Sequence, residues 1–122
     1  MVVAVVLVVD DDPLQRNIIK KILVGEGYEA HVAGSGEEAL TAAKKLIPDV
    51  VLTDLCLEHM NGIELMSRLR MHINPPEVIF MSALGLTLHE MVEGAFIHLE
   101  KPLGKNALVS AIRQALVGRC TS

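Results

Sequence analysis

Cysteine is scarce in this sequence. Only two cysteines occur among 122 residues, Cys56 and Cys120, and they form no CxxC pair. We therefore expect both thiols to be free and reduced. The histidines show no HExxH or other paired-ligand spacing, and they are scattered at His31, His59, His72, His89 and His98. This scatter argues against a zinc site.

Positive charge is also in short supply. The chain has 11 lysines and arginines against 15 acidic residues, which gives a formal net charge of -4. No basic run could follow a phosphate backbone, so direct binding of nucleic acid is not expected.

Long hydrophobic runs are missing as well. The apolar stretch over residues 1–9 is too short to span a bilayer, and it lacks the basic region and cleavage site of a signal peptide. We interpret it as a buried strand of a cytoplasmic protein without membrane contact. There is no linker, repeat or low-complexity segment, and 51% of the residues are apolar. These features predict one domain over residues 1–122.

Strand and helix signals alternate along the chain. Apolar or alternating runs predict strands over residues 2–9, 28–32, 50–53, 78–81 and 95–99. Helices are predicted after Asp12-Pro13, after Ser35 with Glu38 as a capping box, after Asn61, over roughly 86–93, and from Asn106 to Gly118. Five strand-then-helix units predict an α/β fold with a doubly wound parallel sheet and helices on both faces.

The first predicted helix has one apolar stripe at helical spacing. The stripe contains Leu14, Ile18, Ile19, Ile22 and Leu23, and the glycines at 25 and 27 end the helix. Asp12 precedes Pro13, so we interpret Asp12 as the helix cap and not as a ligand of a site.

Polar residues follow four of the five predicted strands. They are Asp10, Asp11 and Asp12 after the first, Asp54 after the third, Ser82 after the fourth and Lys101 after the fifth. Gly34-Ser35-Gly36 after the second strand supplies only a turn and a cap. In an open parallel sheet, ligands bind beyond the carboxyl ends of the strands, where the strand order reverses. We therefore expect one site at this edge.

Several carboxylates at one sheet edge repel one another and favour a cation between them. An all-oxygen site with positions left for water suits Mg²⁺, which readily shares its coordination shell with phosphate oxygens. Asp54 is then a candidate nucleophile for a phosphoryl group. Lys101 and Ser82 are candidates to hold the phosphoryl oxygens.

Four segments together resemble a known family. VLVVDDDPLQR, PDVVLTDLCLEHMNGIEL, VIFMSA and EKP stand in the order and spacing of the receiver domain of two-component response regulators. The resemblance covers essentially the whole chain. It implies a flavodoxin-like sandwich of five βα units whose parallel strands lie in the order 2-1-3-4-5.

The resemblance also implies roles for single residues. Asp10 and Asp11 match the acidic pair that coordinates Mg²⁺, and Asp54 matches the phosphorylated aspartate. Ser82 matches the switch hydroxyl, and Lys101 matches the lysine that pairs with the phosphoryl group. The backbone carbonyl of Cys56, two residues after Asp54, matches a third metal ligand.

The family's activity is implied in the same way. The phosphoryl group comes from a phosphohistidine of a histidine kinase or a histidine phosphotransfer domain, and the aspartyl phosphate is later hydrolysed. The domain is then not an enzyme apart from its own phosphorylation and dephosphorylation. Its other partner is a downstream output domain or protein, and it is expected to be a monomer or a weak dimer.

Three features depart from the family pattern. Glu58 stands where receivers commonly carry a proline, four residues after Asp54. His98 stands where they commonly carry the tyrosine or phenylalanine that moves inward on activation. The segment from Ser82 to Lys101 also looks about one helical turn shorter than usual. These departures bear on switching more than on phosphorylation.

Two alternatives remain open. The chain could be a pseudo-receiver that binds proteins constitutively with impaired switching. It could also be a flavodoxin-like enzyme for a small molecule. No glycine- or hydroxyl-rich phosphate loop follows the first strand, which disfavours the enzyme.

Overall fold

The computed structural model describes residues 3–82, 97–101 and 103–121, apart from the side chains of His98 and of residues 119–121. Within this part of the chain it contains five strands and four helices. They are β1 (Val5–Val9), α1 (Pro13–Gly25), β2 (Glu29–Ala33), α2 (Gly36–Leu46), β3 (Val50–Asp54), α3 (Gly62–Leu69), β4 (Glu77–Ser82), β5 (Ile97–Glu100) and α4 (Lys105–Thr121).

The five strands form one parallel sheet in the order β2-β1-β3-β4-β5. This order and the alternation of strands with helices confirm the predicted α/β fold and its strand order. The order reverses between β1 and β3, because the chain first builds outward to β2 and then returns to the other side of β1. The carboxyl ends of β1 and β3 therefore flank the position where such folds place their ligands.

Alternate side chains of β1 enter two separate cores. Leu7 and Val9 pack with residues of α2 and α3, whereas Val6 and Val8 pack with residues of α1 and α4. All four side chains are fully buried. Burial of one such side chain contributes roughly 1.5–3 kcal/mol, which explains why a run of β-branched and aliphatic residues forms the central strand.

The predicted apolar stripe of α1 is wider than the buried face of the helix. Ile19 and Leu23 are buried in the core, but Leu14 and Ile18 are 69% and 47% exposed. Successive helical residues point about 100° apart, so Ile18 lies well to one side of Ile19. Part of the apolar stripe of α1 therefore lies on the surface, which the helical spacing alone does not reveal.

The predicted helix caps form as hydrogen bonds from backbone amides to side chains. Asp12 accepts from Leu14 at 3.0 Å, Ser35 accepts from Glu38 at 3.1 Å, and Asn61 accepts from Glu64 at 2.8 Å. The Glu38 carboxylate reaches back to the amide of Gly34, at 3.0 Å, so the capping box is extended by one residue.

Some predicted boundaries are wrong. The first strand begins at Val5, three residues later than predicted, and the last helix continues through Gly118 to Thr121. An exposed glycine inside a helix costs only about 1 kcal/mol relative to alanine, which is too little to end a long packed helix. The helix predicted over 86–93 and the start of the predicted fifth strand lie outside the described residues. None of the described helices has the length and apolar character needed to cross a membrane.

Candidate functional site

The site lies at the carboxyl edge of the sheet. Asp10 directly follows β1, and Lys101 directly follows β5. Asp54 and Ser82 were expected just past their strands, but they are the last residues of β3 and β4. The correction has a physical reason, since both residues still pair with the neighbouring strand and so remain inside the sheet.

Three carboxylates meet at this edge. Carboxylate oxygens of Asp10, Asp11 and Asp54 all lie within 4.8 Å of one another. Asp10 and Asp54 are buried, whereas Asp11 is exposed. The group is open to solvent on one side and offers only hard oxygen donors, the arrangement that fits an ion retaining several water ligands, such as Mg²⁺. The residues therefore fit the predicted ion.

Lys101 supplies the positive charge that faces these carboxylates. Its Nζ lies 2.5 Å from Oδ2 of Asp54 and 3.5 Å from Oδ2 of Asp10. The lysine side chain is 27% exposed, so the contacts are only partly screened by water. Residues separated by 47 and 91 positions in sequence are thus joined in one charge cluster.

Burial and neighbouring charges shift the pKa values of Asp10 and Lys101. Burial raises the pKa of the Asp10 carboxyl above its ordinary value, and the nearby Asp54 charge adds to this effect. Contacts with the Asp12 amide and with Lys101 offset part of the rise. Burial by itself would lower the pKa of Lys101, but its hydrogen bond to Asp54 and the charges of Asp54 and Asp10 raise that pKa overall.

The two buried carboxylates are oriented in the same way. Oδ1 of Asp10 accepts a hydrogen bond from the amide of Asp12 at 3.0 Å, and Oδ1 of Asp54 accepts one from the amide of Cys56 at 3.0 Å. In both cases the donor is two residues further along the chain, as in an Asx turn. The other oxygen of each carboxylate is then the one that faces Lys101.

The loop after β3 closes tightly over the end of the strand. The amide of Gly62 donates to the Leu55 carbonyl at 2.8 Å. A Cβ atom at position 62 would lie 2.8 Å from the Asp54 carbonyl oxygen and 3.1 Å from Cα of Leu55. Because both are backbone atoms, only glycine fits here without a shift of the residues that carry the site.

The remaining predicted residues are placed as follows. Ser82 is buried at the end of β4, and its carbonyl accepts from the Lys101 amide at 2.8 Å. Cys56 is exposed and has a free thiol, which agrees with the expectation for this cysteine. Glu58 is exposed in the loop after β3. The backbone of His98 pairs with Phe80 between β4 and β5.

One contact at the site was not predicted. Nη1 of Arg16, on α1, donates to the backbone carbonyl of Asp10 at 3.3 Å. The only signal in the sequence is an arginine six residues after Asp10. Its long side chain stands at the end of the first turn of α1, from which it can reach back to Asp10.

Comparison with known proteins gives the class of the domain. Residues 6–113 match the family model described as the response regulator receiver domain. The chain is 38% identical over 114 residues to the DNA-binding response regulator MtrA of Mycolicibacterium smegmatis, which covers 91% of this chain and 50% of that protein. The chain thus spans about half the length of the curated relatives of this type that it matches.

Solved structures agree with the sequence comparison. A response regulator receiver domain protein from Clostridium thermocellum superposes with a TM-score of 0.88 at 28% identity, covering 98% of each chain. Chemotaxis protein CheY4 of Vibrio cholerae superposes with a TM-score of 0.87 at 28% identity, covering 94% of this chain and 100% of that one. The chain belongs to the family of response regulator receiver domains and serves as such a domain in two-component signalling.

Proposed function

We propose that Asp54 is the phosphoacceptor of this receiver domain and that a phosphohistidine of a histidine kinase or histidine phosphotransfer domain is the donor. The observation that carries the proposal is the cluster at the sheet edge. The Asp54 carboxylate lies within 4.8 Å of those of Asp10 and Asp11 and 2.5 Å from the Lys101 ammonium. An anion added to Asp54 would meet both a site for a cation and a lysine.

The transfer is a displacement at phosphorus. An Asp54 carboxylate oxygen forms a bond to phosphorus while the phosphorus–nitrogen bond of the phosphohistidine breaks, and the imidazole keeps the electron pair. Asp54 is held for this step by the Cys56 amide on Oδ1. Lys101 leaves the carboxylate and pairs with a phosphoryl oxygen, where it stabilises negative charge. Hydrolysis later returns the carboxylate and releases inorganic phosphate.

Asp10, Asp11, Asp54 and the carbonyl of Cys56 would hold the Mg²⁺ ion. When bound, the ion neutralises charge on the transferring phosphoryl oxygens. The protein's own part is to keep the carboxylates oriented, through the amides of Asp12 and Cys56, and to leave the side next to Asp11 open to water and donor.

Ser82 and His98 are proposed to read out the phosphorylated state. Ser82 lies at the end of β4 beside the strand that carries Asp54, within the same sheet edge. Its hydroxyl would turn toward an added phosphoryl oxygen. His98, on the neighbouring strand β5, would act as the counterpart of the family's aromatic switch residue, whose position it matches in the sequence.

An exposed apolar patch next to the site supports docking of the donor. Leu14 and Ile18, whose exposure was not predicted, are on the first two turns of α1, which begins immediately after the acidic residues. A donor protein that buries these side chains would bring its phosphohistidine close to the strand ends. Contact with apolar side chains near the centre of an interface supplies much of the energy of docking.

We further propose that residues 1–122 form one receiver domain that acts in the cytoplasm as a monomer or weak dimer and passes its signal to an output domain or protein. The net charge of -4 and the lack of a basic run in the sequence do not favour direct binding of nucleic acid. The alternative of a pseudo-receiver is not favoured by any observation at the site, since the acids, the hydroxyl and the lysine are all present at the sheet edge.

Phosphorylation by a small donor tests the proposal. Incubation with acetyl phosphate and Mg²⁺ should add one acid-stable, base-labile phosphoryl group, measured by intact mass, and Asp54→Asn should abolish it. Asp12→Asn is the matched control, because Asp12 lies outside the carboxylate cluster and asparagine caps helices equally well. The same mass increase in Asp54→Asn would remove Asp54 from the acceptor role.

A further inference from the structure

Arg16 contacts the backbone of Asp10 at the site and has no assigned role. The residue is half-buried on α1, and its Nη1 reaches the carbonyl oxygen of Asp10 at 3.3 Å. Its Nε is buried and has no hydrogen-bond partner among the described residues. Burying a guanidinium nitrogen without a partner costs free energy. We expect the hydrogen bond from Nη1 to the Asp10 carbonyl to offset this cost.

The contact replaces a missing bond of the sheet. Val9 pairs with Ala33, and the ladder between β1 and β2 continues one residue further, where the Asp10 amide donates to the Ala33 carbonyl at 3.1 Å. In this parallel register the next donor, to the Asp10 carbonyl, would be the amide of Ser35. Ser35 instead caps α2, so the chain has already left the sheet. Arg16 donates to this carbonyl at the place where the ladder ends.

Gly34 makes room for this side chain. A Cβ atom at position 34 would lie 2.9 Å from Nη1 of Arg16. The Gly34 amide is itself held by the Glu38 carboxylate at 3.0 Å. The turn after β2 is therefore held by α2, and the lack of a Cβ at Gly34 leaves space for the guanidinium.

The Asp10 backbone is a sensitive point of the proposed metal site. Asp10 and Asp11 are adjacent and carry two of the three clustered carboxylates, so a shift of this carbonyl moves both. Arg16 contacts the carbonyl oxygen of Asp10, whereas Lys101 contacts the Asp10 carboxylate. Arg16 is therefore expected to act through its hydrogen bond to the backbone and not through its charge.

We propose that Arg16 is a positioning residue for the Asp10–Asp11 carboxylate pair and that Gly34 is the space it requires. This inference rests on the proposed function of the site as a Mg²⁺-dependent phosphoacceptor. It adds that the affinity for the ion depends on a side chain that does not touch it. Partners of ligand residues in general change metal affinity by roughly 10- to 100-fold when they are replaced.

Mg²⁺ titrations followed by the amide shift of Asp11 test the inference. Arg16→Met keeps the apolar stem and removes the donor, and it should raise the Mg²⁺ dissociation constant roughly 10-fold. Arg16→Lys keeps one donor and should restore part of the affinity. Arg68→Met is the matched control. Among the described residues, Arg68 forms an ion pair only with Glu64, and both residues lie on α3.

The metal-free protein provides a second measurement. Loss of the hydrogen bond should move the carbonyl carbon resonance of Asp10 in Arg16→Met and leave it in place in Arg68→Met. If Arg16→Met does not fold, Gly34→Ala answers the same question, because the new Cβ displaces the guanidinium and keeps the charge. Gly34→Ala should then weaken Mg²⁺ binding as well.

The inference is overturned if Arg16→Met or Gly34→Ala is less stable but binds Mg²⁺ as the parent does, or if Arg16→Lys binds it no better than Arg16→Met. Acetyl phosphate added to the same samples separates the two proposals. A parent protein that binds Mg²⁺ but takes up no phosphoryl group contradicts the phosphoacceptor function alone, whereas unchanged Mg²⁺ binding in the variants contradicts the role of Arg16 alone.

Discussion

Lys101 contacts Asp54 across the sheet edge with its Nζ 2.5 Å from the carboxylate oxygen, although β4 lies between β3, which ends at Asp54, and β5, which precedes Lys101. The lysine bridges this gap because it follows the short strand β5 directly and its amide is tied to the Ser82 carbonyl at 2.8 Å. The contact therefore joins the proposed acceptor to the edge of the sheet where β5 lies.

Replacing Lys101 by alanine should weaken the phosphorylated state without abolishing metal binding. The lost charge-assisted hydrogen bond contributes roughly 1.5–3 kcal/mol, so affinity for beryllofluoride in the presence of Mg²⁺ should fall about 10- to 100-fold. Lys105→Ala, at an exposed lysine on α4 that pairs with Glu26, should leave it unchanged. Equal beryllofluoride affinity in Lys101→Ala and the parent would show that the lysine does not meet the added anion.

Replacing Asp10 by asparagine should stabilise the metal-free protein at neutral pH. The pKa of Asp10 is raised in the folded state, so the charged carboxylate destabilises the fold. This penalty is absent below the ordinary value of 3.8, develops as pH rises through the folded pKa, and is constant above it. The gain should therefore be complete at pH 7, provided that the folded pKa lies below that pH.

Thermal unfolding of Asp10→Asn and the parent, with and without Mg²⁺, measures this effect. The gain should disappear at acid pH, and Mg²⁺ should stabilise the parent more than the variant because a ligand stabilises the state that binds it. Asp12→Asn serves as the control at a neighbouring carboxylate. A metal-free Asp10→Asn protein less stable than the parent at pH 7 would contradict the prediction.

Two glycine-to-alanine changes should have opposite effects. Gly62→Ala brings a Cβ to 2.8 Å from the Asp54 carbonyl oxygen, so it should destabilise the protein by about 1–3 kcal/mol and weaken Mg²⁺ binding. Gly118→Ala has free space around the new methyl group inside α4 and should stabilise the protein by roughly 0.5–1 kcal/mol. Denaturant unfolding of both variants measures these changes in stability. A Gly62→Ala protein as stable as the parent would contradict the close approach of the new Cβ to the Asp54 carbonyl oxygen.

Replacing His98 by tyrosine should strengthen the response to phosphorylation. An imidazole is smaller than a tyrosine ring, and its protonated form resists burial in an apolar slot. Amide shifts of β4 and β5 caused by beryllofluoride should therefore be larger in His98→Tyr than in the parent. Equal shifts in both proteins, unchanged between about pH 6 and 8, would contradict a switch limited by the histidine.

The sequence predicted the sheet well because its signals are local. The unbroken apolar run over residues 2–9 indicates a central strand, and its residues Val6 to Val9 are fully buried. The cap before Pro13 indicates the start of α1. The expectation that Asp10, Asp54 and Lys101 lie together follows from the same pattern, since parallel strands bring their carboxyl ends to one edge. These signals need no knowledge of which side chains touch.

What the sequence could not predict depends on geometry between elements. Arg16 reaches the Asp10 carbonyl just beyond the end of β2. Gly34-Ser35-Gly36 signals a turn there, but no local pattern shows which distant side chain lies against it. The exposure of Leu14 and Ile18 depends on how far α1 is rotated over the sheet. The extension of α4 past Gly118 reflects packing of the whole helix, which outweighs the low helix propensity of one glycine.

The paired amide bonds from Asp12 and Cys56 have a thermodynamic consequence. Ordering a side chain at the moment of binding costs about 0.5–1.5 kcal/mol of conformational entropy, and here two carboxylates are ordered while the protein folds. A bound cation would therefore meet two carboxylates that are already oriented, and little further side-chain entropy would be lost when it binds.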